Sequence, residues 1–301
     1  MNHFLEISQL SHKQIEQLLT RASYFKQTKD FPSFPEHRLA NLFYENSTRT
    51  RVSFELAAHN LSIPAINLSH SSSSESKGEA IEDTIKTLAA MGIGLFVIRH
   101  NQDGLQQSLA NQPGIANAVH IINAGDGVHA HPSQAMLDLM TILEAKPSLS
   151  SLKIAIVGNI SHSRVANSLI HLFSMRGVGE LTLIAPDIWL PETVHFGRAT
   201  NSLQDGIENA DVVICLRVQR ERLSDNEHID LQTYRRDYAL TASTLRYAKP
   251  DAMIMHPGPV NRGVEIDDDV SDGAQSCILR QVTNGVYMRM AIIESLIDDT
   301  P

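Results

Sequence analysis

Short apolar runs alternate with helix-patterned segments along this chain, and the alternation starts afresh at its middle. In the first half the runs are Leu39 to Tyr44, Ile63 to Leu68, Leu95 to Arg99 and Val119 to Asn123. In the second they are Leu152 to Val157, Leu181 to Ile184, Val212 to Leu216 and Ala252 to Met255. This βαβ alternation in both halves predicts an α/β fold, with two doubly wound parallel-sheet domains joined by helices. A length of 301 residues leaves room for two domains. We place the first at 1–147 and the second at 148–301, with the junction at Pro147-Ser148.

Helix signals fill the gaps between the runs. Ser11 with Gln14 makes a capping box, and Leu10 with Ile15 a hydrophobic staple. Ile15, Leu18, Leu19 and Ala22 then repeat at helical spacing. Phe54, Ala57, Ala58 and Leu61 share a helix face, and another helix runs from about Glu79 to Ala90. Pro132 suits the first turn of a helix whose buried stripe is Met136, Leu139, Met140 and Leu143. A helix follows Gly158, through Ala166 to Phe173. The last helix, about 284–299, carries Val286, Met290, Ile293 and Ile297 and is a candidate to pack back on the first domain. Ser69 to Gly78, with four consecutive serines, reads as a loop, and Gly125-Asp126-Gly127 as a turn.

Composition narrows the function classes. A hydrophobic content of 42% excludes a disordered chain. A net charge of −9 argues against nucleic acid and anionic membrane as partners, while leaving room for a locally basic pocket. No apolar run approaches the ~20 residues of a membrane span, and Met1 to Glu6 shows no signal-peptide pattern. Cys215 and Cys277 sit in apolar runs and read as reduced core thiols. The expectation is a soluble, cytoplasmic protein.

The most informative polar run is Ser47-Thr48-Arg49-Thr50-Arg51, between a predicted strand and a predicted helix. Ser47 or Thr48 would cap the helix, whose first free N–H groups and positive end point outward. Hydroxyls and guanidinium groups at that place make a phosphate or carboxylate site. The plainer alternative is an ordinary cap followed by two solvated arginines.

Phe43 to Glu55 as a whole resembles the carbamoyl-phosphate signature of the aspartate and ornithine carbamoyltransferases. The resemblance continues through Lys77-Gly78-Glu79 with Asp83-Thr84, Arg99-His100, Gly125-Asp126-Gly127 and His131-Pro132-Ser133-Gln134. It ends with Arg217 to Leu223 and His256 to Arg262. Each block alone is weak, but the ordered set spans nearly the whole chain and is specific. Arg217-Val218-Gln219 resembles the loop by which the aspartate branch holds a side-chain carboxylate. The Ser-Met-Gly loop and the His-Cys-Leu-Pro block of the ornithine branch are missing from this sequence. A guanidinium fork there pairs with a carboxylate and repels an ammonium.

The resemblance implies transfer of the carbamoyl group of carbamoyl phosphate to the amine of L-aspartate. The products would be N-carbamoyl-L-aspartate and phosphate, an early step of de novo pyrimidine biosynthesis. It implies no metal and no cofactor. Ser47, Thr48, Arg49 and Thr50 match the phosphate cradle, and Arg99 spans phosphate and carbonyl. His131, with Thr50 and Arg99, matches the carbonyl contacts, and Gln134 would reach the carbamoyl NH2. Ser73 and Lys77 match carbamoyl-phosphate contacts, Lys77 also an aspartate contact, that enter the neighbouring chain's site, which implies a homotrimer with shared sites. Arg164 matches the α-carboxylate contact, and Arg217 and Gln219 the side-chain carboxylate contacts. Gly258 and Pro259 match a stretch of the carbamoyl-phosphate site whose carbonyls accept from amine groups, and no contact is assigned to Arg262. A site shared by two domains is expected to close around its substrates.

Several plainer readings stand beside these. His131 could be a histidine at a helix start satisfied by backbone, and Gln134 an exposed first-turn residue. Ser73 and Lys77 could belong to a solvated loop, and Arg217 and Arg222 to a charged surface face. His129-x-His131 suggests metal only weakly, since no carboxylate or cysteine completes a ligand set at the usual spacing. Rival functions are a dinucleotide-binding protein, another carbamoyltransferase with an aspartate-like acceptor, and a non-catalytic assembly subunit. Against the first, Gly158 is followed by Asn159-Ile160-Ser161 and no glycine-rich fingerprint. The block at 256–266 resembles bacterial forms that associate with a dihydroorotase or dihydroorotase-like chain. That makes such a chain, or a regulatory chain, a candidate partner.

Overall fold

A computed structural model of the chain describes residues 1–69, 79–218 and 229–297. The chain forms two compact units, one of Met1–Met140 with the stretch from Val282 onward and one of Thr141–Gln281. Each is built on its own all-parallel sheet. This is the α/β architecture that the alternation of strands and helices predicts.

The first unit opens with helix α1 (His12–Thr28), started by the expected capping box. The Ser11 side chain accepts from the Gln14 N–H, and the Gln14 side chain accepts from the Ser11 N–H. Strands β1 (Leu39–Phe43), β2 (Ala65–Ser69), β3 (Leu95–His100) and β4 (His120–Asp126) follow, with α2 (Thr48–Asn60), α3 (Ile81–Ala90) and α4 (Leu105–Ala110) between them. Helix α5 (Pro132–Ala145) comes next, beginning at the predicted proline. Ala40, Leu42, Phe96, Ile98 and Ile121 of the sheet are buried with Ile85 of α3 and Leu105 and Leu109 of α4. Six residues are too few to display a helical period, and α4 left no clear mark in the sequence.

The second unit runs β5 (Lys153–Val157), α6 (Arg164–Arg176), β6 (Glu180–Ile184), β7 (Arg198–Thr200), α7 (Leu203–Ile207), β8 (Val212–Cys215), α8 (Leu231–Tyr238), β9 (Met253–Met255) and α9 (Asp268–Ser271). The last helix, α10 (Ile278–Ile297), begins some six residues earlier than the sequence pattern indicates, and its part from Val282 belongs to the first unit. Strand β7 is a further addition: three half-exposed or exposed residues with no apolar run to announce them.

Strand order decides where each sheet can bind a ligand. The first sheet is ordered β2-β1-β3-β4 and the second β7-β6-β5-β8-β9. In the first, the chain winds outward from β1 to β2, then returns to build on the other side of β1. In the second, it winds from β5 to β7 and returns beside β5. Such reversals leave a crevice at the carboxyl ends of the two strands involved. Those strands are β1 and β3 in one unit, and β5 and β8 in the other. None of the described helices is long and apolar enough to cross a membrane.

Candidate active site

In the first unit the exit of β1 leads directly into Ser47-Thr48-Arg49-Thr50. Ser47 occupies the N-cap position of α2, but its side chain makes no capping hydrogen bond, which corrects the expectation of a hydroxyl cap there. The Ser47 carbonyl accepts from the Arg51 N–H at 3.3 Å, so the first turn is closed by backbone. Thr50 is buried, and its carbonyl accepts from the Ser53 hydroxyl at 3.0 Å. Arg49 sits in the exposed first turn, and partial desolvation of its guanidinium lowers its pKa from the usual arginine value. Arg51, the next residue, has Nε 3.7 Å from Glu55 Oε1 one turn along α2.

Arg99 joins this loop from the neighbouring strand. It stands opposite Phe43 in the β1–β3 register, and its carbonyl accepts from the Tyr44 N–H at 2.9 Å. Its Nε lies 3.3 Å from Glu45 Oε2, and a terminal nitrogen donates to the Ala124 carbonyl at 3.3 Å. The guanidinium is therefore held between the loop after β1 and the end of β4.

The turn after β4 brings in His131 and Gln134. Asp126 is its buried pin. One carboxylate oxygen accepts from the Asn123 amide at 3.0 Å and the Ala130 N–H at 2.9 Å. The other takes the Gly104 N–H at 2.9 Å and lies 2.9 Å from His129 Nδ1. Gly127 lies within this turn with φ +42°, and a Cβ there would fall 1.8 Å from Asp103 Oδ1. His131 is buried at the start of α5, where its carbonyl accepts from the Gln134 and Ala135 N–H groups. Gln134 is buried too, and its Nε2 donates to Asp138 Oδ1 at 2.9 Å. His129 places its two ring nitrogens against Asp126 and Glu6. Among the described residues no cluster of three or more metal-ligating side chains occurs.

In the second unit the exits of β5 and β8 lie side by side. Val157 stands opposite Cys215, and the Leu216 N–H donates to the Val157 carbonyl at 2.7 Å. Gly158 has φ +131°, and a Cβ there would meet Leu216 Cβ at 2.9 Å. The chain then turns into α6, where the Ser163 side chain accepts from the Ala166 N–H and Arg164, buried, takes the first helical position. Arg217 follows β8 after Leu216 and is half-buried.

Gly258 and Pro259 lie in the loop after β9. This loop rests on a fully buried pair, His256 and Glu265, with Nε2 to Oε1 at 3.2 Å. Arg262, left without a contact in the sequence reading, is committed elsewhere: it binds Asp268 at 2.8 Å, Asp272 at 2.7 and 2.9 Å, and the Ser271 hydroxyl at 3.0 Å. Those hydrogen bonds hold its pKa well above the usual arginine value. It clamps α9.

Ser73, Lys77 and Gln219, with Arg222, lie outside the described residues. Sequence reasoning assigned no role to Asp126, Glu45 or Glu265. All three lie in or beside the quoted blocks, but carboxylates there gave no sign that they serve as braces.

The sequence matches two family descriptions in succession. Residues 2–144 match the carbamoyl-P binding domain of aspartate/ornithine carbamoyltransferase, and residues 150–296 its Asp/Orn binding domain. The aspartate carbamoyltransferase catalytic subunit of Legionella pneumophila (strain Corby) is 68% identical over 297 residues, covering 99% of each chain. Among solved structures, aspartate transcarbamoylase from Trypanosoma cruzi, in complex with carbamoyl phosphate and aspartate, superposes with a TM-score of 0.87. It is 28% identical over 98% of this chain and 96% of that one. The ornithine carbamoyltransferase of Pyrococcus furiosus gives the same TM-score, 0.87, at 25% identity over 100% and 98% of the two chains.

Proposed function

The chain belongs to the aspartate/ornithine carbamoyltransferase family, and on that premise we propose that it transfers the carbamoyl group of carbamoyl phosphate to the amine of L-aspartate. The products are N-carbamoyl-L-aspartate and phosphate, and the reaction is an early step of de novo pyrimidine biosynthesis. One observation carries the reading: both arginine-bearing blocks stand at the carboxyl ends of strands where the sheet order reverses. The backbone fold does not choose the acceptor, since an aspartate and an ornithine enzyme superpose equally well. Arg217 supports aspartate, because a guanidinium after β8 attracts a carboxylate and repels the ammonium of ornithine.

The chemistry asks for positioning and charge stabilisation. The neutral amine of aspartate attacks the carbonyl carbon, a C–N bond forms, the C–O bond to phosphate breaks, and the amine proton leaves to solvent. Ser47, Thr48, Arg49 and Thr50 hold the phosphate at the N-terminus of α2. Arg99, Thr50 and His131 stabilise the carbonyl oxygen as charge develops on it. The bond from Gln134 Nε2 to Asp138 fixes the amide, so that Gln134 Oε1 accepts from the carbamoyl NH2. Arg164 takes the α-carboxylate of aspartate, and Arg217 with Gln219 its side-chain carboxylate. The carbonyls of Gly258 and Pro259 accept from amine groups.

The active assembly is a homotrimer in which Ser73 and Lys77 serve a neighbouring chain's site. Exposed Val52 and Leu56 on α2 and Ile66 on the edge strand β2 support a contact surface on the first unit. Buried, unpaired thiols at Cys215 and Cys277 support a cytoplasmic protein. The test of the reaction is formation of carbamoyl aspartate from carbamoyl phosphate and aspartate, with ornithine as the competing acceptor. Turnover with ornithine, or with neither, overturns the assignment.

A further inference from the structure

The loop carrying Gly258 and Pro259 and the strand end carrying Arg217 are distant in sequence but share one buried support. Glu265 is fully buried. Its Oε1 accepts from the Asn261 N–H at 2.5 Å and lies 3.2 Å from His256 Nε2. Its Oε2 accepts a long hydrogen bond, 3.5 Å, from the N–H of Val218, the residue after Arg217. Proton positions follow from the geometry. His256 Nδ1 accepts from the Gly258 N–H at 2.8 Å, so the ring proton sits on Nε2 and is donated to Glu265. The His256 N–H in turn donates to Gln281 Oε1 at 3.0 Å. A second tie crosses the same gap: the Asn261 side-chain amide donates to the Val218 carbonyl at 3.1 Å.

The geometry points to Glu265, with His256 and Asn261, as the positioning unit that sets the Arg217 backbone against the Gly258–Pro259 loop. None of these three touches substrate in this reading; they act through Arg217 and through the loop carbonyls. The inference rests on the proposed aspartate contact of Arg217 and the proposed carbamoyl-phosphate contacts of the Gly258–Pro259 carbonyls. A carboxylate suits this place because its hydrogen-bond partners among the described residues are all donors: two N–H groups and one imidazole N–H. An amide would turn its NH2 toward one of them and leave a donor facing a donor in a buried site.

The test compares Glu265→Gln, Asn261→Ala and Arg217→Ala, each checked for wild-type oligomer size and circular dichroism, in steady-state kinetics with aspartate varied and carbamoyl phosphate saturating. Glu265→Gln should raise the KM for aspartate about tenfold or more, with a smaller change in kcat. Carbamoyl phosphate binding, measured by calorimetry, should weaken less than aspartate use. Asn261 is only half-buried, so its alanine variant tests the same tie if Glu265→Gln does not fold, and should raise the KM about threefold. An unchanged aspartate KM in folded Glu265→Gln, or in Asn261→Ala should the first not fold, overturns the proposal. So does an equal loss of carbamoyl phosphate binding. If Arg217→Ala also leaves aspartate dependence unchanged, the assignment of the aspartate contacts has failed, and the positioning role fails with it.

Discussion

Arg99 stands directly opposite Phe43 across the parallel pair β3–β1, with its guanidinium between Glu45 and the Ala124 carbonyl. One side chain thus touches the loop leading into the proposed Ser47–Thr50 cradle and the strand end that precedes His131. A cation held there by two fixed acceptors costs little reorganisation when negative charge develops beside it.

Arg99→Ala should therefore lose turnover by roughly 10²–10³-fold, the scale for removing one preorganised donor to a developing charge. The KM for aspartate should change far less. Steady-state kinetics near wild type would remove Arg99 from the site.

Arg217→Ala should weaken aspartate use chiefly through KM, because it deletes a carboxylate partner and leaves the phosphate cradle in the other unit untouched. Substrate analogues separate the cause. An acceptor lacking the side-chain carboxylate should discriminate poorly between wild type and variant, and equal discrimination with both acceptors would point to another role.

Mixing folded Lys77→Ala and Arg49→Ala trimers, each nearly inactive, should restore part of the activity if sites are shared. Light scattering should give a mass about three times 33.3 kDa. An active monomer would contradict the trimer.

Gly158→Ala should destabilise the second unit by about 2 kcal/mol or more, since a Cβ there adopts a disfavoured φ and overlaps Leu216. Urea denaturation reads this directly, and a neutral result would show that the β5 exit can move.

Stability should also follow the charge of His129. Desolvation pulls its pKa down, but the hydrogen bond to Asp126 and the charges of Asp126, Glu6 and Asp103 outweigh this and leave it raised. The contribution is complete below about 6.5, the value of an unfolded histidine, and is lost as pH rises through the raised folded value. The side chain is partly exposed, so the effect is small. The difference in urea midpoint between wild type and His129→Gln should shrink from about pH 6 to pH 8. A constant difference would mean that the pair carries no charge.

Much of this protein was legible in the linear chain. The capping box at Ser11, the proline start of α5 and most strands are local features, each encoded by residues within one or two turns of each other. The strand–helix junction that carries the proposed anion cradle was legible for the same reason, because its hydroxyls and arginines sit next to one another in sequence. Elements too short for a period, α4 and β7, left no such trace.

The meaning of each charge was decided only by the tertiary structure. Arg262 and Arg99 look alike in the sequence, yet one is taken up by Asp268 and Asp272 while the other spans two strand ends. Asp126 and Glu265 looked like ordinary acidic residues until folding surrounded them with backbone donors. Electrostatic energy depends on distance and burial, and in a parallel sheet the groups that settle both arrive from strands separated by whole helices.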